Sequence, residues 1–204
     1  MGLRHDGRER REFADDLFWS VGSGAASALE VLNNPVNFPD VVGVVQTNER
    51  DDRSGVDFWV QLGNGCRVGV DLKLRRPDWA ADELNPKDDL TLETWSVVDK
   101  RIPGWTRDPQ KKCDYILFFW PDTGRWCMIP FRPLLSVFLE HWRDWRKIYE
   151  TNVSINSRGS LRWRSEAVFV PRCVVLGLIE ERYGGAPPAR KVPRNNGNDK
   201  AQAR

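Results

Sequence analysis

Residues 56–74, Val-Asp-Phe-Trp-Val-Gln-Leu-Gly-Asn-Gly-Cys-Arg-Val-Gly-Val-Asp-Leu-Lys-Leu, decide the fold. Residues 56–62 alternate apolar and polar side chains, as a half-buried strand does. Residues 66–74 do so again, with Val68, Val70, Leu72 and Leu74 on one face and Arg67, Gly69, Asp71 and Lys73 on the other. Gly63-Asn64-Gly65 between them reads as a three-residue turn, with Gly65 free to take a positive φ. Faces must match across the pair, so Phe58, Val60 and Leu62 lie opposite Val70, Val68 and Cys66, and paired residue numbers sum to 128. That register sets Asp57 across from Asp71, with Cβ atoms about 4.5–5.5 Å apart. Lys73 lies on the same face, two residues further on.

Like charges directly opposite each other destabilise a sheet, so two facing aspartates need a compensating partner. A hard divalent cation is a sufficient one, because Mg²⁺ binds through one or two carboxylates together with water and substrate phosphate oxygens. Lys73 supplies a positive point charge or a proton-transfer group beside it. The plainer reading is a surface Asp71–Lys73 pair with Asp57 solvated at a strand start.

Outward from this hairpin, residues 9–33 carry apolar side chains at helical spacing, with Gly22-Ser23-Gly24 as a kink and Asn33-Asn34-Pro35 as the stop. Residues 41–47 (VVGVVQT) read as a strand, and residues 75–90 as a polar, proline-broken surface loop or lid. Residues 91–98 read as a short strand, 114–120 (DYILFFW) as a buried strand, and 125–129 as its partner across a turn. A helix over 131–149 and a hairpin over 154–170 follow; residues 172–182 are apolar without a clear period. The expected organisation is one domain over residues 1–183 and a disordered basic tail over 184–204.

Composition removes several classes of function. The chain has 204 residues, 40% of them hydrophobic, and the run from Tyr115 to Trp120 is far too short to cross a bilayer. No apolar stretch follows the charged N-terminus, so a cytoplasmic protein without membrane association is expected. Four cysteines lack C-x-x-C spacing, which argues against zinc and for reduced thiols, and two distant histidines give no imidazole-based site. No G-x-x-x-x-G-K-S/T loop is present. Catalysis therefore rests on carboxylates, lysines and a cation. The net charge of +2 divides unevenly: residues 182–204 hold six basic residues against one acid, leaving the preceding residues mildly acidic.

Asp57, thirteen residues, then Asp71-Leu72-Lys73 at the end of an apolar strand, preceded by a helix and a strand, resembles the PD-(D/E)XK nuclease superfamily. Glu93-Thr-Trp-Ser96, Gly104-Trp105 and Asp114-Tyr-Ile-Leu117 are similar to pieces of its phage or mobile-element members. Two departures stand out: Val56 occupies the proline position, and Asp71 stands where glutamate is commoner. The resemblance implies a mixed α and β class (α/β in the α+β sense). Its restriction-endonuclease-like core has a mixed central sheet flanked by helices in the order αβββαβ, over roughly residues 9–120. It also implies metal-dependent hydrolysis of phosphodiester bonds, an endonuclease-type activity on DNA.

On the resemblance, Asp57 and Asp71 hold Mg²⁺ or Mn²⁺ with the Leu72 carbonyl and a first-helix carboxylate, and Lys73 orients the attacking water. The first helix offers Glu12, Asp15, Asp16 and Glu30. A helix packed back along the first strand covers about 23 Å, or about 15 helical residues. Counting back from about residue 33, that favours Asp16 with Asp15 or Glu12 beside it and leaves Glu30 at the wrong end. Glu93 is a candidate supporting carboxylate behind the metal ligands. For nucleic-acid contact, Arg75 and Arg76 after the motif and Arg162 and Arg164 on the later hairpin are the best placed cations. The expected partner is DNA, and a dimer is compatible with the sequence. The competing reading is a non-catalytic nucleic-acid-binding or assembly protein on the same scaffold; a small-molecule phosphate-ester hydrolase is a third.

Overall fold

The computed structural model of the chain describes residues 23–47 and 54–184. The elements in order are α1 (Ser23–Leu32), β1 (Val41–Gln46), β2 (Phe58–Leu62), β3 (Arg67–Leu74), β4 (Asp89–Val97), β5 (Ile102–Pro103), β6 (Tyr115–Trp120), β7 (Arg125–Pro130), α2 (Phe131–Ile148), β8 (Thr151–Arg158), β9 (Leu161–Pro171) and α3 (Arg172–Tyr183). Single 3₁₀ turns lie at Trp79–Ala81 and Trp105–Arg107. Among the described residues no helix is long and apolar enough to cross a membrane. The first-helix carboxylates Glu12, Asp15 and Asp16 and the tail over 185–204 fall outside the described residues.

The class is α+β with a mixed sheet. Five strands run in the order β1-β2-β3-β6-β7, and four in the order β5-β4-β9-β8. β1, β2 and β3 form an antiparallel meander, β6 joins β3 in parallel, and β7 pairs β6 antiparallel. The β2–β3 register is Phe58↔Val70, Trp59↔Gly69, Val60↔Val68 and Gln61↔Arg67, the pairing the side-chain alternation requires. Gly65 takes φ +79°, so the turn closes without a Cβ clash.

Two cores flank the five-stranded sheet. On one face Phe58, Val60, Val70, Leu117 and Phe119 pack with Ala28 and Leu32 of α1. On the other, Ile116, Phe118, Trp120 and Ile129 pack against Leu90 and Leu92 of β4, Val168 and Val170 of β9, and the apolar side of α2. Parallel pairing sets Asp71 beside Ile116 and Lys73 beside Phe118, which puts both on this second face. The face carrying the aspartates, expected to meet solvent, therefore lies under a second layer of structure, and Asp71 is only 2% exposed.

Three further expectations are corrected. The connection from β3 to β6 contains β4 and β5 and no α-helix, so the described order differs from αβββαβ at its fifth element. Residues 75–88 are not a free lid: Arg125 reaches Asp78 through Nε at 2.8 Å and Nη2 at 2.5 Å, and Asp88 through Nη1 at 2.7 Å. Arg172 of α3 grips Asp88 from the other side at 2.7 Å. Residues 172–183, ambiguous by pattern, form a helix that ends at Gly184, whose φ of +70° suits glycine.

Candidate functional site

Local chain geometry brings the first two candidate residues together. The Asp57 backbone N–H donates at 2.9 Å to the carbonyl of Val70, the residue that Phe58 pairs with, so the regular ladder ends at Phe58 and Asp57 lies just beyond it. Its side chain then turns along β3, where Oδ2 accepts the Leu72 N–H at 2.7 Å. N–H and C=O of one strand residue point to the same edge, so the Leu72 carbonyl lies on the Asp57 side as well. Lys73 Nζ sits 2.8 Å from both oxygens of Asp71. Asp57, Asp71, Leu72 and Lys73 thus come together, through the Leu72 N–H and the Lys73 ammonium.

Lys111, which the sequence reading did not single out, completes the cluster. Its Nζ lies 2.9 Å from Asp71 Oδ2, and its side chain is 6% exposed. Room for it comes from Gly55, where an added Cβ would stand 2.3 Å from Lys111 Nζ. The backbone locks the two segments together, Lys112 N–H donating to the Ser54 carbonyl at 3.0 Å. Only the Lys111-Lys112 pair ahead of a buried strand hinted at this role, and such a pair usually reads as solvated charge.

Glu93 comes from β4, in the layer above. Its Oε2 accepts the Trp105 N–H at 2.9 Å, and the chain passes so close at Gly104 that a Cβ there would come within 2.3 Å of the Glu93 carbonyl oxygen. Trp105 in turn lies beneath the Lys73 ammonium, 5.1 Å from the ring centre. The Glu93 and Gly104-Trp105 segments thus meet over the Asp71–Lys73 pair. A cleft of about 330 Å³, lined in part by Ser54, Gly55, Glu93, Trp105 and Lys111, lies beside the cluster; Asp57, Asp71 and Lys73 are not among its lining residues.

The electrostatics separate the two aspartates. Burial, then the neighbouring Asp71 carboxylate, pushes the Asp57 carboxyl up from 3.8 to about 7, against the pull of Lys73. Burial acts on Asp71 in the same direction, but the Lys73 and Lys111 ammoniums outweigh it and hold that carboxyl below its ordinary value. Burial opposes the charge on Lys73, and Asp71 and Asp57 overcome it, so its pKa is raised. Burial also raises Glu93, against the Trp105 N–H and the nearby cations. One carboxyl that titrates near neutrality beside one held ionised is a pairing suited to proton and cation exchange.

Asp57 and Asp71 offer hard oxygen donors. Asp71 Oδ2 is buried and makes ion contacts without an aligned hydrogen bond. Among the described residues no group of three or more His, Cys, Asp or Glu is arranged to hold a metal.

The proposed nucleic-acid contacts divide. Arg75 and Arg76 line a second cleft beyond the end of β3. Arg162 and Arg164 are exposed on β9, with Arg164 paired to Asp99, and neither lines either cleft. Glu30 is exposed on α1. A scan against models of protein families, and searches of curated proteins and of solved structures, find no match for the chain.

Proposed function

We propose that the protein is a metal-dependent nuclease related to the PD-(D/E)XK superfamily, hydrolysing phosphodiester bonds in DNA at the Asp57–Asp71–Lys73 cluster. The observation that supports this reading is the bond from the Leu72 N–H to Asp57 Oδ2, which brings the Asp57 carboxyl against the Asp71-Leu72-Lys73 segment. The donor chemistry fits Mg²⁺ or Mn²⁺. Two carboxylates and the Leu72 carbonyl are hard oxygen ligands, and a cation of this kind takes its remaining positions from water and phosphate. Its contribution there is Lewis-acid polarisation of a phosphoryl oxygen and a lowered pKa for the attacking water.

The protein's own groups do the rest. Asp57, once deprotonated, would supply the second anionic oxygen donor. Lys73, anchored on Asp71 with its side chain 20% exposed, would orient water and offset the charge developing on phosphate. Lys111 keeps Asp71 ionised, and Glu93 with Trp105 closes the cluster from above. The supporting architecture is the mixed sheet with β6 returning parallel to β3; the strand-built connection between them is a departure from the superfamily's usual helix.

One observation favours the non-catalytic alternative. Two ammoniums already contact Asp71, so the cluster is partly neutralised without a metal. Labelled DNA incubated with purified protein and Mg²⁺ decides between them. The nuclease reading expects cleavage that chelator abolishes and that Lys73→Ala reduces by at least about 100-fold. DNA binding without cleavage supports the alternative.

A further inference from the structure

The cleft beyond β3 has the features of a base-binding pocket. Its volume is about 260 Å³, below the range of drug-sized ligand sites and suited to a single planar heterocycle. Trp79 forms one wall and leaves 48% of its surface to solvent, whereas Trp120 within the same cleft is 4% exposed. Trp79 is held in place rather than loose. It opens a 3₁₀ turn whose N-cap, Asp78, is 5% exposed and doubly bonded by Arg125. A preset aromatic face binds without first losing rotamer freedom.

Two further features point to the class of ligand. Arg75, Arg76 and Lys87 supply cations to the lining beside the carboxylates of Asp82, Asp89 and Glu150, and Arg75 follows Lys73 by two residues, close enough for its charge to act on both Lys73 and Glu93. The cleft therefore lies next along the chain from the Asp71–Lys73 pair, through Arg75. Asp89, half-buried in the wall, makes no side-chain hydrogen bond or ion pair among the described residues, and burial raises its pKa. An acceptor left in this state suits an N–H donor such as a nucleobase amine.

Resting on the nuclease reading, we infer that this cleft seats one unpaired base of the substrate strand, stacked on Trp79 with its amine toward Asp89, while Arg75 and Arg76 hold the adjoining phosphates. The preferred substrate is then a single strand, or a duplex with displaced bases, because a base inside a duplex has no free face.

The test is fluorescence anisotropy in chelator, so that nothing is cut, with a fluorescein-labelled single strand, the matching duplex and a strand of abasic sugars. The expected result is single-strand binding at least about tenfold tighter than to the duplex or the abasic strand, lost by about tenfold in Trp79→Ala. Asp89→Asn, which keeps the fold's shape, is expected to weaken binding of oligo-dC more than oligo-dT. Equal affinity for the abasic strand, equal affinity for the duplex, or an unchanged Trp79→Ala variant overturns the inference. Base-dependent binding by a protein that never cleaves DNA in Mg²⁺ would leave the pocket standing and overturn the nuclease reading instead.

Discussion

Asp57→Asn isolates the charge of one carboxylate while keeping its shape and its ability to accept the Leu72 N–H. Asp57 in the fold loses its proton at about 7 rather than at 3.8. At about 1.4 kcal/mol per tenfold change in proton affinity, its ionisation costs the folded state up to about 4 kcal/mol. The sign follows from where the proton sits. Between the two values the folded chain holds a proton that the unfolded chain has released, so stability from this group is full below 3.8 and is lost as pH rises through about 7. Asparagine has no proton to lose. In chelator, the variant should match the parent near about pH 4, exceed it by about 1–2 kcal/mol near pH 5, and exceed it by about 3–4 kcal/mol near pH 8. Urea unfolding across this range measures the gap, with equal m-values as the check on two-state behaviour. A gap independent of pH, or one that favours the parent increasingly as pH rises, would refute the assignment of a strained carboxylate to Asp57.

Asp71→Asn should behave in the opposite sense, because it leaves the buried Lys111 ammonium and the half-buried Lys73 ammonium without their counter-charge; a loss of about 3–5 kcal/mol is expected near neutrality. Since the Asp71 carboxyl is held low, its contribution is present above its unfolded value and fades as pH falls through the folded one, so this penalty should shrink in acid. Gly55→Ala places a Cβ 2.3 Å from Lys111 Nζ at a backbone φ of +79°. A loss of about 1–3 kcal/mol is expected, with displacement of Lys111 seen as a changed pH dependence of unfolding. Leu92→Ala, at a side chain with no exposure between the two layers, should cost about 2–5 kcal/mol by urea titration without altering the pH dependence.

Local rules made the hairpin and its aspartates legible in the sequence. Alternation in both strands and a glycine turn of three residues leave one register, and that register alone predicts Asp57 against Asp71. The strands at β6 and β7 and the helix at α2 were legible too, β6 from its continuous apolar run, α2 from its helical period, and each from a turn or proline at its edge. Burial of the aspartate-bearing face was not legible, because an Asp-Lys face reads as solvent-facing until β4 and β9 are known to lie over it. Neither was Lys111. Its role depends on the strand-built return from β3 to β6 and on the missing side chain at Gly55, contacts between segments far apart in sequence. The Asp78–Arg125–Asp88–Arg172 network is of the same long-range kind, and it turns a segment that reads as a loose loop into a fixed wall.

The central claim is that Asp57 and Asp71 share a divalent cation. Titration calorimetry with Mn²⁺ at about pH 6, repeated in buffers of different ionisation enthalpy, tests it directly, because metal binding must displace the proton that Asp57 still holds at that pH. The account predicts saturable binding with release of close to one proton in the parent, and loss of that release together with weakened binding in Asp57→Asn. Absence of Mn²⁺ binding, or binding that releases no proton and is untouched by Asp57→Asn, would contradict it.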